Sequence, residues 1–287
     1  MPPSVRPPDP HAMNLSAALD IATRSDPGKV RSNNEDAVLA NAHSGFVILA
    51  DGMGGYNAGE VASGMATALL GVELEKAFAT LEPSVRTATG RSWAETALHA
   101  EILKANSAIY NAAQNQPQYA GMGTTLVAVV YHDDKMVVAH LGDSRLYRLR
   151  GDDFRQVTRD HSLLQEQIDS GIISVEQARF SENKNLVTRA LGVEPQVEPE
   201  VRTYDVEVGD VYLLCSDGLS DMVDDVEIGD ALRMLGSNMD LCAARLVDMA
   251  NDNGGRDNVS VILVKIRQAF PAQRGWWRRL LRMFGLQ

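Results

Sequence analysis

The order of apolar segments predicts an α+β fold in which β-sheets pack on each other and helices cover the outside. Three observations carry this reading. Strand-like runs come first, two long helical patterns follow, and strands return before a last helix and strand; a parallel sheet would instead alternate strand and helix. The strand runs are short and rich in β-branched residues, whereas the helical patterns repeat apolar residues every three or four positions. A hydrophobic content of 45% over 287 residues is enough for a sizeable core.

Taken in order, the sequence predicts strands over Leu19–Arg24, Ala37–Ala40, Phe46–Ala50, Thr124–Tyr131, Met136–Leu141, Ser144–Leu149, Val211–Cys215 and Asn258–Lys265. Between them, a helix over Gly59–Phe78 places Val61, Met65, Leu69 and Val72 at helical spacing. A second, over Trp93–Ala113, does the same with Trp93, Ala97, Ile102, Ala105 and Ile109. A third, over Asp240–Asn251, offers Leu241, Ala244, Leu246, Val247 and Ala250 as its buried face. Residues 1–13 hold five of the eleven prolines and read as a disordered leader without the apolar stretch of a signal peptide. No proline-rich or low-complexity break interrupts residues 14–267, which read as one domain, and no window approaches a membrane span.

Composition excludes some functions. A formal net charge of −11 makes a nucleic-acid surface a poor expectation. Residues 267–287 carry five arginines and no acid, so the body is more acidic than the whole. Such a body suits cations, and a phosphorylated substrate would need bound metal to offset repulsion. The two cysteines, Cys215 and Cys242, read as buried free thiols in a reducing cytoplasm. Neither starts a Cys-x5-Arg phosphate loop, because Asp221 and Asp248 stand at the sixth positions. No Walker loop, calcium loop or His-Glu-x-x-His pair is present.

Five short acidic motifs point to the chemistry: Asn34-Glu35-Asp36, Asp51-Gly52-Met53-Gly54-Gly55, Gly142-Asp143-Ser144-Arg145, Ser216-Asp217-Gly218 and Asp257-Asn258. Asp51 and Asp217 each follow a buried-strand run and open into a glycine turn, and Asp257 precedes such a run. Glycines there let backbone approach an ion, and the Gly52 carbonyl is itself a candidate ligand. A site of oxygen donors alone favours Mg²⁺ or Mn²⁺ over zinc.

With Arg31-Ser-Asn-Asn-Glu-Asp36, Gly121-Met-Gly-Thr-Thr125 and Thr158-Arg-Asp-His-Ser162 added in the same order, the chain resembles the bacterial PPM (PP2C-type) protein serine/threonine phosphatases over about residues 15–266. The resemblance implies a PP2C-like four-layer αββα fold, a central antiparallel β-sandwich flanked by helices. It implies attack on phosphoserine or phosphothreonine by hydroxide bound between two Mn²⁺ or Mg²⁺ ions about 3.5–4 Å apart. By matching position, Asp51 bridges the two ions, Asp217 and Asp257 complete the first, and the Gly52 carbonyl with Asp36, largely through water, holds the second. Arg31 binds the phosphoryl oxygens by a forked pair of hydrogen bonds, its alternative being a surface arginine. Asp143, with Asp217, matches a weaker third-ion site, or else bonds within its own turn. Glu35 supports the metal shell through water or a backbone bond.

One departure concerns Met53. Several eukaryotic relatives have a histidine there, a proposed general acid, and Met cannot donate a proton. His161 is the nearest motif histidine, with capping or packing as its more ordinary role. Residues 162–191 correspond to the family's flap beside the site, a segment placed to contact substrate. The implied partners are phosphorylated proteins, typically a Hanks-type Ser/Thr kinase and its targets, with no nucleic acid and a monomeric state. A fold-retaining adaptor without activity is the alternative class, and Asp36, Asp51, Asp217 and Asp257 all speak against it.

Residues 268–287 form a basic amphipathic tail. On a helical projection Arg274, Arg278, Arg279 and Arg282 share one side, with Trp276, Trp277, Leu280, Leu281, Met283 and Phe284 on the other. Three targets stay open: the protein's own acidic body, a partner protein, or an anionic membrane surface. The expected location is the cytoplasm, with the tail allowing peripheral attachment to the inner membrane.

Overall fold

Alternating burial explains the architecture strand by strand. The computed structural model describes residues 14–55, 58–174, 177 and 186–270. Within β3 (Phe46–Met53), Phe46, Ile48 and Ala50 pack towards helices while Val47 and Leu49 join the core shared by two sheets. A strand buried on both faces reads as a continuous apolar run, and this is why β3, β5 (Leu126–His132) and β10 (Val211–Cys215) stand out in the sequence.

One sheet has the order β1 (Leu19–Asp26), β11 (Val259–Ile266), β10, β7 (Arg145–Arg150), β8 (Asp153–Gln156). The other runs β2 (Asp36–Asn41), β3, β5, β6 (Lys135–Leu141), β9 (Glu200–Asp205), with β4 (Gly123–Thr124) pairing the end of β3. Every pairing is antiparallel. Between the sheets lie Val47, Leu49, Val127, Val129, Tyr212, Leu214, Ile262 and Val264. Helices α1 (Ala58–Thr80) and α2 (Trp93–Asn115) cover the second sheet. The first sheet is covered by the short α4 (Asp217–Ser220), α5 (Asp225–Leu235) and α6 (Met239–Asp252), while α3 (Leu163–Asp169) lies in the segment between β8 and β9. These are the four layers expected.

Several local expectations change. The expected strand over Thr124–Tyr131 is broken at Thr125, whose amide donates to the Asp51 carbonyl at 2.8 Å, so β4 and β5 are separate. β8 and β9 give no apolar run because they are charged edge strands, half exposed. α5 has a readable start: the Asp224 side chain caps it by accepting from the Glu227 amide at 2.9 Å. Along α1 the buried face is Ala58, Ala62, Ala66, Leu70 and Leu74, not the Val61–Met65–Leu69–Val72 stripe. Small residues win because the helix lies close on β2, where a side chain at Gly71 would collide with Leu39. On α6, Leu241 is exposed and Cys242 takes the inward position.

Among the described residues no helix is long and apolar enough to cross a membrane. Phe270, placed in the tail by sequence, packs edge-on to Tyr131 at 6.1 Å in the inter-sheet core. The leader and the tail beyond Phe270 lie outside the described residues.

Candidate metal centre

The acidic motifs converge because strand ends at one edge of the sandwich carry them. Asp36 begins β2 and stands opposite Asp51 near the end of β3. On the other sheet, Cys215 at the end of β10 pairs with Arg145 at the start of β7, so Asp217 and the Gly142–Ser144 turn reach the same edge. Asp257 precedes β11 there. A direct bond joins the sheets: Ser216 Oγ donates to Asp36 Oδ2 at 2.8 Å.

Backbone positions are fixed by side chains. Thr125 Oγ1 accepts from the Asp51 amide at 3.1 Å, and Thr124 Oγ1 donates to the Asp51 carbonyl at 2.8 Å. Asn258 Oδ1 accepts from the Glu35 amide at 2.7 Å, while its Nδ2 donates to Asn33 and Pro27 carbonyls at 2.8 and 3.0 Å. It thereby pins the Arg31–Asp36 loop to the start of β11. At Gly218 an added Cβ would collide with the Asn258 carbonyl, so that turn requires glycine. Gly52 is likewise closed in by the carbonyls of Glu35 and Gly59. The Glu35 carbonyl accepts from Gly52 N at 3.1 Å and Ser63 Oγ at 2.6 Å, a backbone role in the site's frame.

Electrostatically the cluster is unbalanced. Burial, then repulsion from Asp36, Asp217, Asp143 and Asp257, holds the Asp51 carboxyl well above the usual range. Asp217 is raised in the same way, by burial first and Asp143 next. Burial pushes Asp36 and Asp143 each up to about 6. Asp36 Oδ1 is buried without a hydrogen-bond partner. A cluster of partly buried carboxylates with an orphaned oxygen and mutual repulsion fits hard divalent cations, which would supply the missing charge and ligand demand. The residues present thus fit Mn²⁺ or Mg²⁺. Arg31 lies at this edge, half exposed, with Nη2 donating to Asp257 Oδ2 at 2.7 Å.

The glycine before Asp143 is held by His161. Gly142 N donates to His161 Nδ1 at 3.2 Å, and the Gly142 carbonyl accepts from the His161 amide at 2.9 Å. The His161 carbonyl accepts from Thr188 N at 2.8 Å, so one residue ties the Gly142–Ser144 turn to the chain at 188. His161 stacks on His140 at 4.6 Å, and with Glu200 they bring three ligand-type atoms within 4.8 Å of one another. Hydrogen bonding speaks against a metal there. Nδ1 of His161 is an acceptor, so its Nε2 carries the proton, and His140 Nε2 must donate to the Arg159 carbonyl at 2.9 Å. Burial, then His140, lowers His161 to about 4, leaving it neutral at physiological pH. With Nδ1 committed to Gly142, His161 serves packing and positioning. The thiols are inert: both cysteines are buried, with Cys215 pushed up to about 12 and Cys242 to about 11.

Comparison with known proteins decides the family. Residues 29–254 match the family described as Protein phosphatase 2C. The chain belongs to the protein phosphatase 2C family. It is 40% identical over 248 residues to the serine/threonine phosphatase stp of Listeria welshimeri, covering 84% of this chain and 94% of that one. A crystal structure of the Mycobacterium tuberculosis serine/threonine phosphatase PstP/Ppp superposes with a TM-score of 0.79 at 39% identity, covering 88% of this chain and 100% of that one. The catalytic domain of PstP in complex with two manganese ions matches at a TM-score of 0.76 and 38% identity, covering 88% of this chain and 99% of that one. Like these 2C phosphatases, the chain is a metal-dependent protein serine/threonine phosphatase with an α+β, two-sheet fold.

Proposed function

We propose that Asp36, Asp51, Gly52, Asp217 and Asp257 hold two Mn²⁺ or Mg²⁺ ions for hydrolysis of phosphoserine and phosphothreonine, with Asp143 and Asp217 serving a weaker third. The observation that carries this is the set of largely enclosed carboxylates raised first by desolvation and then by mutual repulsion, with Asp36 Oδ1 unpartnered among them. When bound, the ions supply a lowered water pKa and positive charge beside the phosphoryl group. The chain's own residues do the rest. Thr124 and Thr125 fix Asp51, Ser216 orients Asp36, and Asn258 holds the loop that carries Arg31. Arg31 presents N–H donors beyond its bond to Asp257 and orients the phosphoryl oxygens. In the balanced reaction, water oxygen bonds to phosphorus and the P–O bond to the Ser or Thr side chain breaks. The products are the free hydroxyl and inorganic phosphate.

The partners follow from this activity: phosphoproteins, with reversal of a Hanks-type kinase as the proposed physiological setting. The tail at 268–287 is proposed to localise the enzyme, on a partner protein or an anionic membrane, without entering the chemistry. Turnover of p-nitrophenyl phosphate and of a phosphothreonine peptide, with Mn²⁺, with EDTA and with Asp51→Asn, tests the site. Activity that needs Mn²⁺ and vanishes in Asp51→Asn is expected. Full activity of Asp51→Asn would overturn the ligand assignment. Deleting residues 271–287 should leave p-nitrophenyl phosphate turnover intact.

A further inference from the structure

A pocket of about 330 Å³ opens beside the metal edge. Its apolar wall is made by Met53, Leu141, Val187, Ala190, Val193 and Val197. Two of these stand next to the metal-bearing turns. Met53 is two residues beyond Asp51 on β3, about 7 Å along a strand. Leu141 immediately precedes the Gly142–Asp143 turn. That spacing is about two residues of an extended peptide, so a side chain flanking a phosphoresidue at the metal centre falls within reach of the pocket.

The wall is built, and it is left open to solvent. Val193 is 50% exposed, although its neighbours Leu141 and Ala190 are buried. A Cβ at Gly123 would lie 2.7 Å from Val193 Cγ2 and 3.2 Å from Met53 Cε, so the glycine is what lets both side chains close over β4. Charged residues occupy the mouth: Arg189, Glu194 and Glu198, all exposed. With one cation against two anions they do not make a second phosphate site. Glu198 is also drawn aside towards His99, at 3.4 Å.

We propose that this pocket is a substrate subsite that takes a large apolar side chain next to the phosphoserine or phosphothreonine. The proposal rests on the phosphatase reading of the metal centre. It makes the enzyme selective for phosphosites flanked by leucine, methionine or phenylalanine, and it assigns Val193 and Val197 to specificity, outside the chemistry. Burying one such side chain against this wall is enough for a preference of about tenfold.

The test uses the full-length chain with Mn²⁺ and phosphothreonine peptides in a serine background. Leucine is placed singly at each of the two positions on either side of the phosphoresidue. One position should raise kcat/KM about tenfold, mainly through KM. Val193→Asp and Val197→Asp should erase that gain, Val193→Ala should reduce it, and p-nitrophenyl phosphate turnover should not change. A flat profile in the unsubstituted chain overturns the subsite, as does a leucine preference that survives both aspartates. Absent p-nitrophenyl phosphate turnover in the unsubstituted chain would instead overturn the metal-centre reading, so the two failures are told apart.

Discussion

Gly142 is held on both sides by His161, its amide donating to Nδ1 at 3.2 Å and its carbonyl accepting from the His161 amide at 2.9 Å. Gly142 has φ +99°, so its two peptide planes are set by this pair and by the close approach of Thr125. The next residue is Asp143. His161→Ala leaves the Gly142 amide without its acceptor in a buried place, a loss of about 1–3 kcal/mol in stability. His161→Asn supplies an acceptor oxygen near the Nδ1 position and should recover most of it. Amide exchange at Gly142 and a Mn²⁺ titration report the two sides. Exchange should quicken in His161→Ala and not in His161→Asn, with the weakest Mn²⁺ step changing in parallel.

Metal removal should make stability depend on pH in an uncommon direction for carboxylates. Asp36 and Asp143 are raised by burial to about 6 in the fold, against about 4 in an unfolded chain. Below pH 4 both states are protonated and neither group contributes. Between about pH 4 and 6 the unfolded chain releases protons that the fold still holds, so stability falls as pH rises, and above 6 the full penalty remains. Thermal unfolding of the EDTA-treated chain should therefore show a higher Tm at pH 5 than at pH 7, once other groups are matched by a reference titration. Adding Mn²⁺ at pH 7 should raise Tm in proportion to the logarithm of its concentration.

Asp51→Asn follows the same logic and separates stability from function. Asp51 is half-buried at the edge of the sandwich and repelled by four other aspartates. Replacing it with a neutral amide of the same shape removes that repulsion. The metal-free variant should melt above the metal-free parent, while Mn²⁺ should raise its Tm less than it raises the parent's. A metal-free Tm below the parent would mean that the Asp51 carboxylate is structurally satisfied, contrary to the electrostatics.

Much of this was legible in the sequence, for physical reasons that differ by residue. β3 and β10 are buried on both faces, so their apolar runs announce them and place Asp51 and Asp217 at their ends. β8 and β9 are charged edges with no period to read. The helical period of α1 is readable but its facing is not, because the contact face is mostly alanine, glycine and serine, with Leu70 and Leu74 only in its second half. A hydrophobic scale ranks Val61, Met65, Leu69 and Val72 above those residues, yet close approach to the sheet favours the small ones. The proposed ligand carboxylates sit in motifs, whereas their supports are spread through the chain. Nothing in Thr158-Arg-Asp-His-Ser162 alone shows that His161 grips Gly142, nineteen residues earlier. The Asp224–Glu227 cap, by contrast, was a readable signal for α5.

Ser216 offers the last test, because its hydroxyl joins the two sheets beside Asp36. Its Oγ donates to Asp36 Oδ2 at 2.8 Å and accepts from the Ser260 amide at 3.0 Å. The residue is fully buried, so water has no ready access to replace those bonds. Ser216→Ala removes an acceptor from one buried amide and a donor from one carboxylate, which should lower stability by about 1–3 kcal/mol. The same change frees Asp36 to turn, and losing a partner that orients a ligand typically weakens metal binding about 10- to 100-fold. Ser216→Cys keeps the size but donates poorly, and should resemble alanine in Mn²⁺ affinity. If both variants bound Mn²⁺ as the parent does, Asp36 would be oriented without Ser216, by its backbone and Ser260, and Ser216 would be a packing residue between the sheets.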